Sequence, residues 1–181
     1  LPFADYLVVN VSSPNTPELR KLQEIERLGQ LLEALIDQAK QLAEQTNATP
    51  KAVLVKIAPD LDDIHITEIA QLALAVGISG LIATNTTIAR PALHSPSHET
   101  GGLSGRPLTA RATEVVRLVF QSVEGKLPLI GVGGIFSAED VYERICAGAS
   151  LIQIYTGLIY EGPFLARRIA RALLDILDRQ G

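Results

Sequence analysis

Short apolar, β-branched runs alternate along this chain with longer segments of helical period, and that alternation constrains the fold more than any other feature. The runs are Tyr6 to Val11, Ala52 to Ile57, Gly80 to Ala83, Leu127 to Val132 and Ser150 to Ile154. Each is apolar nearly throughout, as strands covered on both faces require. Leu28, Leu31, Leu32, Leu35, Ala39 and Leu42 fall on one helical face and predict a helix from about Arg27 to Glu44. Asp62 or Asp63 caps the next helix, which continues through Ile69 to Val76 and stops at Gly77. Thr109 opens a third, Ser137 with Asp140 has the form of a capping box for a fourth, and the last runs from about Pro163 to Leu177. The order predicts an α/β fold of about five βα units around a parallel sheet, either doubly wound or part of an eight-stranded barrel.

A complete barrel takes roughly 250 residues, so a chain of 181 residues is expected to hold only part of one. The sequence opens on Leu1-Pro2 and contains no methionine, and is therefore expected to be a piece of a longer protein. It carries no linker, low-complexity tract or tandem repeat, which argues for a single domain over 1–181. With 47% hydrophobic and 20% charged residues the composition is that of a globular unit with a sizeable core. A net charge of -4 with scattered Lys and Arg leaves no basic stripe for nucleic acid. No window reaches the roughly 18 apolar residues of a membrane-spanning helix. The lone Cys146 excludes an internal disulfide and reads as a small core residue.

In either sheet architecture ligands bind at the carboxyl ends of the strands. After the first run comes Asn10-Val-Ser-Ser13-Pro-Asn15-Thr-Pro17, and after the second Lys56-Ile-Ala-Pro-Asp60. Thr84-Asn85-Thr86-Thr87 follows the third, Gly131-Val-Gly133-Gly134-Ile the fourth, and Tyr155-Thr156-Gly157 the fifth. The glycines let backbone N–H groups approach an anion, and a helix starting near Ser137 would add its positive end, so the last two strings read as a phosphate grip. Lys56, at the end of an apolar strand, is expected to meet negative charge: as a contact to an electron-rich cofactor, as a Schiff-base nucleophile, or as a lysine snorkelling at the rim. Asn10, Asn15 and Asn85 carry donor and acceptor together, which suits a planar ligand with alternating N–H and C=O groups. Ser13 reads as a turn hydroxyl or as a base, with no His or carboxylate nearby to relay its proton. His65 is expected to face solvent, and no histidine has metal-ligand spacing. The stretch 85–107, with His94 and His98, shows little periodicity and reads as a lid.

Together with Gly101-Gly-Leu-Ser104-Gly105-Arg-Pro-Leu and Leu151-Ile-Gln-Ile-Tyr-Thr156, these strings, in this order, resemble the dihydroorotate dehydrogenases, and specifically the quinone-dependent class. The resemblance implies an FMN-containing (β/α)8 TIM barrel that oxidises (S)-dihydroorotate to orotate in pyrimidine biosynthesis and passes electrons to a quinone. Serine at Ser13, where the soluble classes use cysteine, points to that class. By the resemblance Ser13 is the catalytic base; Asn10, Lys56, Thr84, Ser104, Gly105, Gly133, Gly134, Tyr155 and Thr156 hold FMN; and Asn10, Asn15, Asn85 and Thr86 hold dihydroorotate or orotate.

The resemblance covers the C-terminal part of such a barrel. It implies that the absent N-terminal part supplies the first strands and the peripheral contact with a membrane, the bacterial cytoplasmic or the mitochondrial inner one. An open barrel exposes two sheet edges and an apolar face, so self-association and little or no activity are expected of the chain alone. Two alternatives stand beside this reading: a phosphate-binding barrel lyase or aldolase using Lys56, and a non-catalytic flavin-binding half-barrel.

Overall fold

The computed structural model describes residues 3–16, 18–90 and 100–180. Five strands, β1 (Tyr6–Asn10), β2 (Ala52–Ile57), β3 (Gly80–Ala83), β4 (Leu129–Val132) and β5 (Leu151–Gln153), form one parallel sheet. Their spatial order is β1-β2-β3-β4-β5. A doubly wound sheet reverses its order at a switch point, whereas a barrel adds each strand beside the last. The unbroken order therefore decides for the barrel and against the doubly wound alternative. The sheet is curled: the side chains of its two edge strands approach across the inner face, Gln153 Nε2 lying 3.5 Å from the Tyr6 hydroxyl. The molecule is thus an incomplete barrel.

The helices α1 (Ile25–Thr46), α2 (Asp63–Val76), α3 (Thr109–Ser122), α4 (Ala138–Cys146) and α6 (Leu165–Gln180) pack side by side in chain order. Alternate residues of each strand, such as Val55 and Ile57, Leu81 and Ala83, join Leu28, Leu32, Ile66, Ile69, Val115 and Val119 of the helices in the main core. A smaller cluster seats Ile135 and Val141 against Leu165 and Ile169. The other strand face carries Leu54, Ile82 and Ile130 in a thin inner cluster. On that face Tyr6, Val8 and Leu151 are exposed.

Local chemistry sets the element ends. Asp62 caps α2 by accepting from His65 N at 2.8 Å, and Gly77 ends it at φ 82°, a conformation glycine adopts without a Cβ penalty. Asp140 closes the Ser137 capping box at the start of α4. β4 begins at Leu129, later than the run suggests, because Pro128 has no N–H to pair; its carbonyl still accepts from Leu81 N at 3.1 Å. Gly162, at φ 82°, separates α6, which lies where the last helix is expected, from the short α5 (Thr156–Glu161), which the sequence pattern did not mark. Cys146 is exposed, contrary to the core expectation, since α4 turns Ala138, Val141 and Arg144 inward and Cys146 lies off that stripe.

Candidate functional site

At the carboxyl ends of β2 to β5 the loops enclose a cleft of about 490 Å³, within the roughly 300–1,000 Å³ of small-molecule and cofactor sites. Lys56, Thr84, Asn85 and Thr86 line it from β2 and β3, Ser104 and Gly105 from the loop before α3, and Gly133, Gly134, Tyr155 and Thr156 from β4 and β5. Asn10, Ser13 and Asn15 do not line it. Asn10 is tied to its edge, because Asn85 Nδ2 donates to Asn10 Oδ1 at 3.2 Å. Ser13 and Asn15 stand beyond, in the turn after β1, where Asn15 N donates to Ser13 Oγ at 3.3 Å.

The amide side is held rigidly. Asn85 Nδ2 also donates to Ser12 Oγ at 3.0 Å, Ser12 Oγ donates to Asn10 Oδ1 at 3.0 Å, and Thr86 N donates to Asn85 Oδ1 at 2.8 Å. Ser12 is fully buried within this network. Beneath it Arg20 bridges Asp60 at 2.8 Å and the Thr86 carbonyl at 3.3 Å, and Asp60 also accepts from Thr87 and from Ile88 N. These bonds fix the loop that presents Asn85 and Thr86.

The long connection after β3 folds back on this loop. Thr87 and Leu103 exchange backbone hydrogen bonds of 3.1 and 2.7 Å, and Arg90 donates to the Gly101 carbonyl at 2.6 Å. A Cβ on Gly102 would run into the Thr86 hydroxyl, so only glycine lets the returning segment lie on Thr86 and Pro14. Ser104 Oγ accepts from Thr156 Oγ1 at 2.9 Å, closing the wall between the segment and β5. The central part of the lid expectation, with His94 and His98, lies outside the described residues, as does Pro17. His65 is exposed on α2.

On the glycine side, Gly133 and Gly134 take φ 114° and 70°. Among the described residues, the N–H groups of Gly133, Gly134 and Tyr155 have no protein acceptor. The start of α4 is engaged otherwise: Asp140 accepts from Phe136 N at 2.8 Å and Ser137 N at 3.0 Å, so those amides serve its own cap. The unbonded donors on this side belong to the glycine turn and to Tyr155, all of which line the cleft.

Lys56 is half-buried at the end of β2, and no carboxylate pairs with it among the described residues. Burial holds its ammonium below the usual lysine range. The folded chain therefore releases this proton at lower pH than the unfolded chain. The cost of the buried charge is fully present below the folded-state pKa and vanishes as pH rises past the free-lysine value of about 10.4. Lys56→Met is expected to remove that gain in stability with pH. Denaturant midpoints of both proteins across this window check it, and parallel slopes would contradict it.

Leu108, Val132, Ile135, Gln153, Ile154 and Gly157 also line the cleft and were not among the expected site residues. Gln153 lines it from β5, and the signal was available: a polar residue in an apolar run, the logic applied to Lys56. Leu108 lines it from the loop before α3, and a leucine opening a helix carries no such mark.

Residues 1–177 match the family model described as dihydroorotate dehydrogenase. The dihydroorotate dehydrogenase (quinone) of Nostoc punctiforme is 52% identical over 186 residues, covering 98% of this chain and 47% of that protein. That of Myxococcus xanthus is 52% identical over 180 residues, covering 99% and 48%. The crystal structure of an Eimeria tenella DHODH in complex with ferulenol superposes with a TM-score of 0.92 at 46% identity, covering 99% of this chain and 52% of that one. The chain spans about half the length of the curated relatives it matches.

Proposed function

The chain belongs to the dihydroorotate dehydrogenase family, and we propose that it forms the C-terminal part of an FMN-binding (β/α)8 barrel that oxidises (S)-dihydroorotate to orotate, with a quinone as electron acceptor. The observation that carries the proposal is one cleft whose two sides differ in chemistry. Lys56, Thr84 and Asn85 stand on one side, and the unpaired amides of Gly133, Gly134 and Tyr155 on the other.

An elongated flavin mononucleotide fits that division. The glycine turn offers backbone donors to a phosphate with no Cβ in the way. Lys56 and Thr84 offer a cation and a hydroxyl to the ring system, and Ser104 and Gly105 close over it from the returning segment. Bound FMN supplies a hydride acceptor for C6 of dihydroorotate. Ser13 takes the proton from C5, while Asn10, Asn15, Asn85 and Thr86 orient the ring and carboxylate of the substrate. The Asn10–Ser12–Asn85 network holds two of those amides before the substrate arrives.

Among the described residues no helix is long and apolar enough to cross a membrane. Delivery of electrons to a membrane quinone implies a peripheral contact, which we assign to segments other than the helices described. The exposed inner face of the sheet supports self-association of this chain.

The test is a visible spectrum of the purified chain after adding FMN and removing the excess, repeated with dihydroorotate under anaerobic conditions. The expected result is a retained flavin band that dihydroorotate bleaches far more slowly than in a complete barrel. A colourless chain would overturn the flavin assignment. A retained band indifferent to dihydroorotate would instead favour a non-catalytic flavin-binding half-barrel.

A further inference from the structure

Arg144, on α4, is a buried cation that none of the preceding chemistry uses. It is 0% exposed. Its Nη2 donates to the Gly133 carbonyl at 2.9 Å and the Thr109 carbonyl at 3.3 Å, and its Nε donates to Thr113 Oγ1 at 3.1 Å. Nη1 is buried without a partner, and no carboxylate pairs with the guanidinium among the described residues. The side-chain stem runs under β4, where a Cβ on Gly131 would lie 2.5 Å from Arg144 Cγ and 3.0 Å from Cδ. The strand that leads into the glycine turn thus rests directly on this arginine.

A buried guanidinium is costly unless its charge is answered. Burial pulls its pKa down to about 10, while Asp140 and Glu143 on the same helix act in the opposite direction, so it stays protonated at neutral pH. Asp140 is already engaged by Phe136 N and Ser137 N. All three acceptors that Arg144 reaches are neutral oxygens, and one of them, the Gly133 carbonyl, shares its peptide plane with the Gly134 N–H.

We propose that Arg144 is a positioning residue for a phosphate monoester: by pinning the Gly133 carbonyl it fixes the Gly134 N–H of the same peptide plane at the glycine turn, with its own charge behind it. A peptide plane whose carbonyl is fixed from below cannot swing its one N–H away from the anion. Thr109 Oγ1 adds a second restraint by donating to the Gly134 carbonyl at 2.7 Å. The inference rests on the flavin reading only for the identity of the ligand.

Every element of this arrangement lies within the chain, so the chain itself can be titrated with FMN, with riboflavin, which lacks the phosphate, and with inorganic phosphate. Arg144→Lys keeps the charge but not the planar fork that reaches several oxygens at once; Arg144→Met removes both. Losing bonds to a charged group of this kind is expected to weaken FMN binding by about tenfold or more in Arg144→Met and by roughly threefold in Arg144→Lys. Riboflavin affinity should change less than about twofold in either variant. Backbone amide shifts of Gly133 and Gly134 should follow added phosphate in the unmodified chain and weaken in Arg144→Lys. Should Arg144→Met fail to fold, Arg144→Lys still decides. FMN affinity unchanged in Arg144→Lys, or FMN and riboflavin lost in parallel, would overturn the proposal. Phosphate binding at Gly133 and Gly134 without FMN binding would sink the flavin reading and leave the role of Arg144 standing.

Discussion

Gly134→Ala is expected to cost the fold about 2–5 kcal/mol and to abolish retention of FMN. Gly134 takes φ 70°, and a Cβ there would stand 2.6 Å from both N and Cα of Thr109. That neighbour is backbone at the opening of α3 and cannot rotate away as a side-chain tip would. Left-handed strain contributes about 1–2 kcal/mol and forced repacking about 1–3 kcal/mol. For a domain of this length the melting temperature should fall by roughly 5–15 °C. Gly77→Ala is the matched control: it has a similar φ of 82° but nothing within 4 Å of the added Cβ. It should cost only about 1 kcal/mol and leave flavin binding alone. Thermal melts and flavin retention of the two variants side by side check the argument, and equal effects in both would show that the close approach to Thr109 is unimportant.

The same glycine turn separates what the sequence could tell from what it could not. Its motif, the strands on either side and both caps of α2 were legible, because they depend on residues within a few positions of one another. The capping box at Ser137 was legible for that reason too, but its consequence was not. A helix start reads as an anion donor, whereas the box consumes the very amides that would donate. Periodicity left barrel and doubly wound sheet open, since strand order is encoded in no single segment, and only the resemblance pointed to the barrel that the strand order bears out. Ser12 and Arg144 were passed over for a related reason. Each is polar in a segment where polarity usually means solvent, and each is buried by partners distant in sequence: Ser12 by Asn85, and Arg144 by Thr109 and Thr113. Arg20 and Asp60, joined below the Asn85 loop, are a further pair of this kind.

Ser13→Ala, made in a complete barrel carrying this sequence, is expected to slow reduction of the bound flavin by dihydroorotate about 10²- to 10⁴-fold while FMN stays bound. That range is the usual contribution of a positioned general base, the role we propose for Ser13. The structure adds the stability side. Ser13 is only partly buried, and its hydroxyl accepts a single long bond from Asn15 N, so its loss should shift stability by no more than about 0.5 kcal/mol. The neighbouring serine predicts the reverse signature. Ser12 is fully buried and bonded to Asn10 and Asn85. Its replacement by alanine leaves those amides short of a partner, at a cost of about 1–3 kcal/mol, and loosens substrate and flavin binding together. Anaerobic stopped-flow reduction paired with denaturant unfolding separates the two serines. A Ser13→Ala enzyme that reduces its flavin at the normal rate would take Ser13 out of the chemistry, and the proton from C5 would then have to leave by another route.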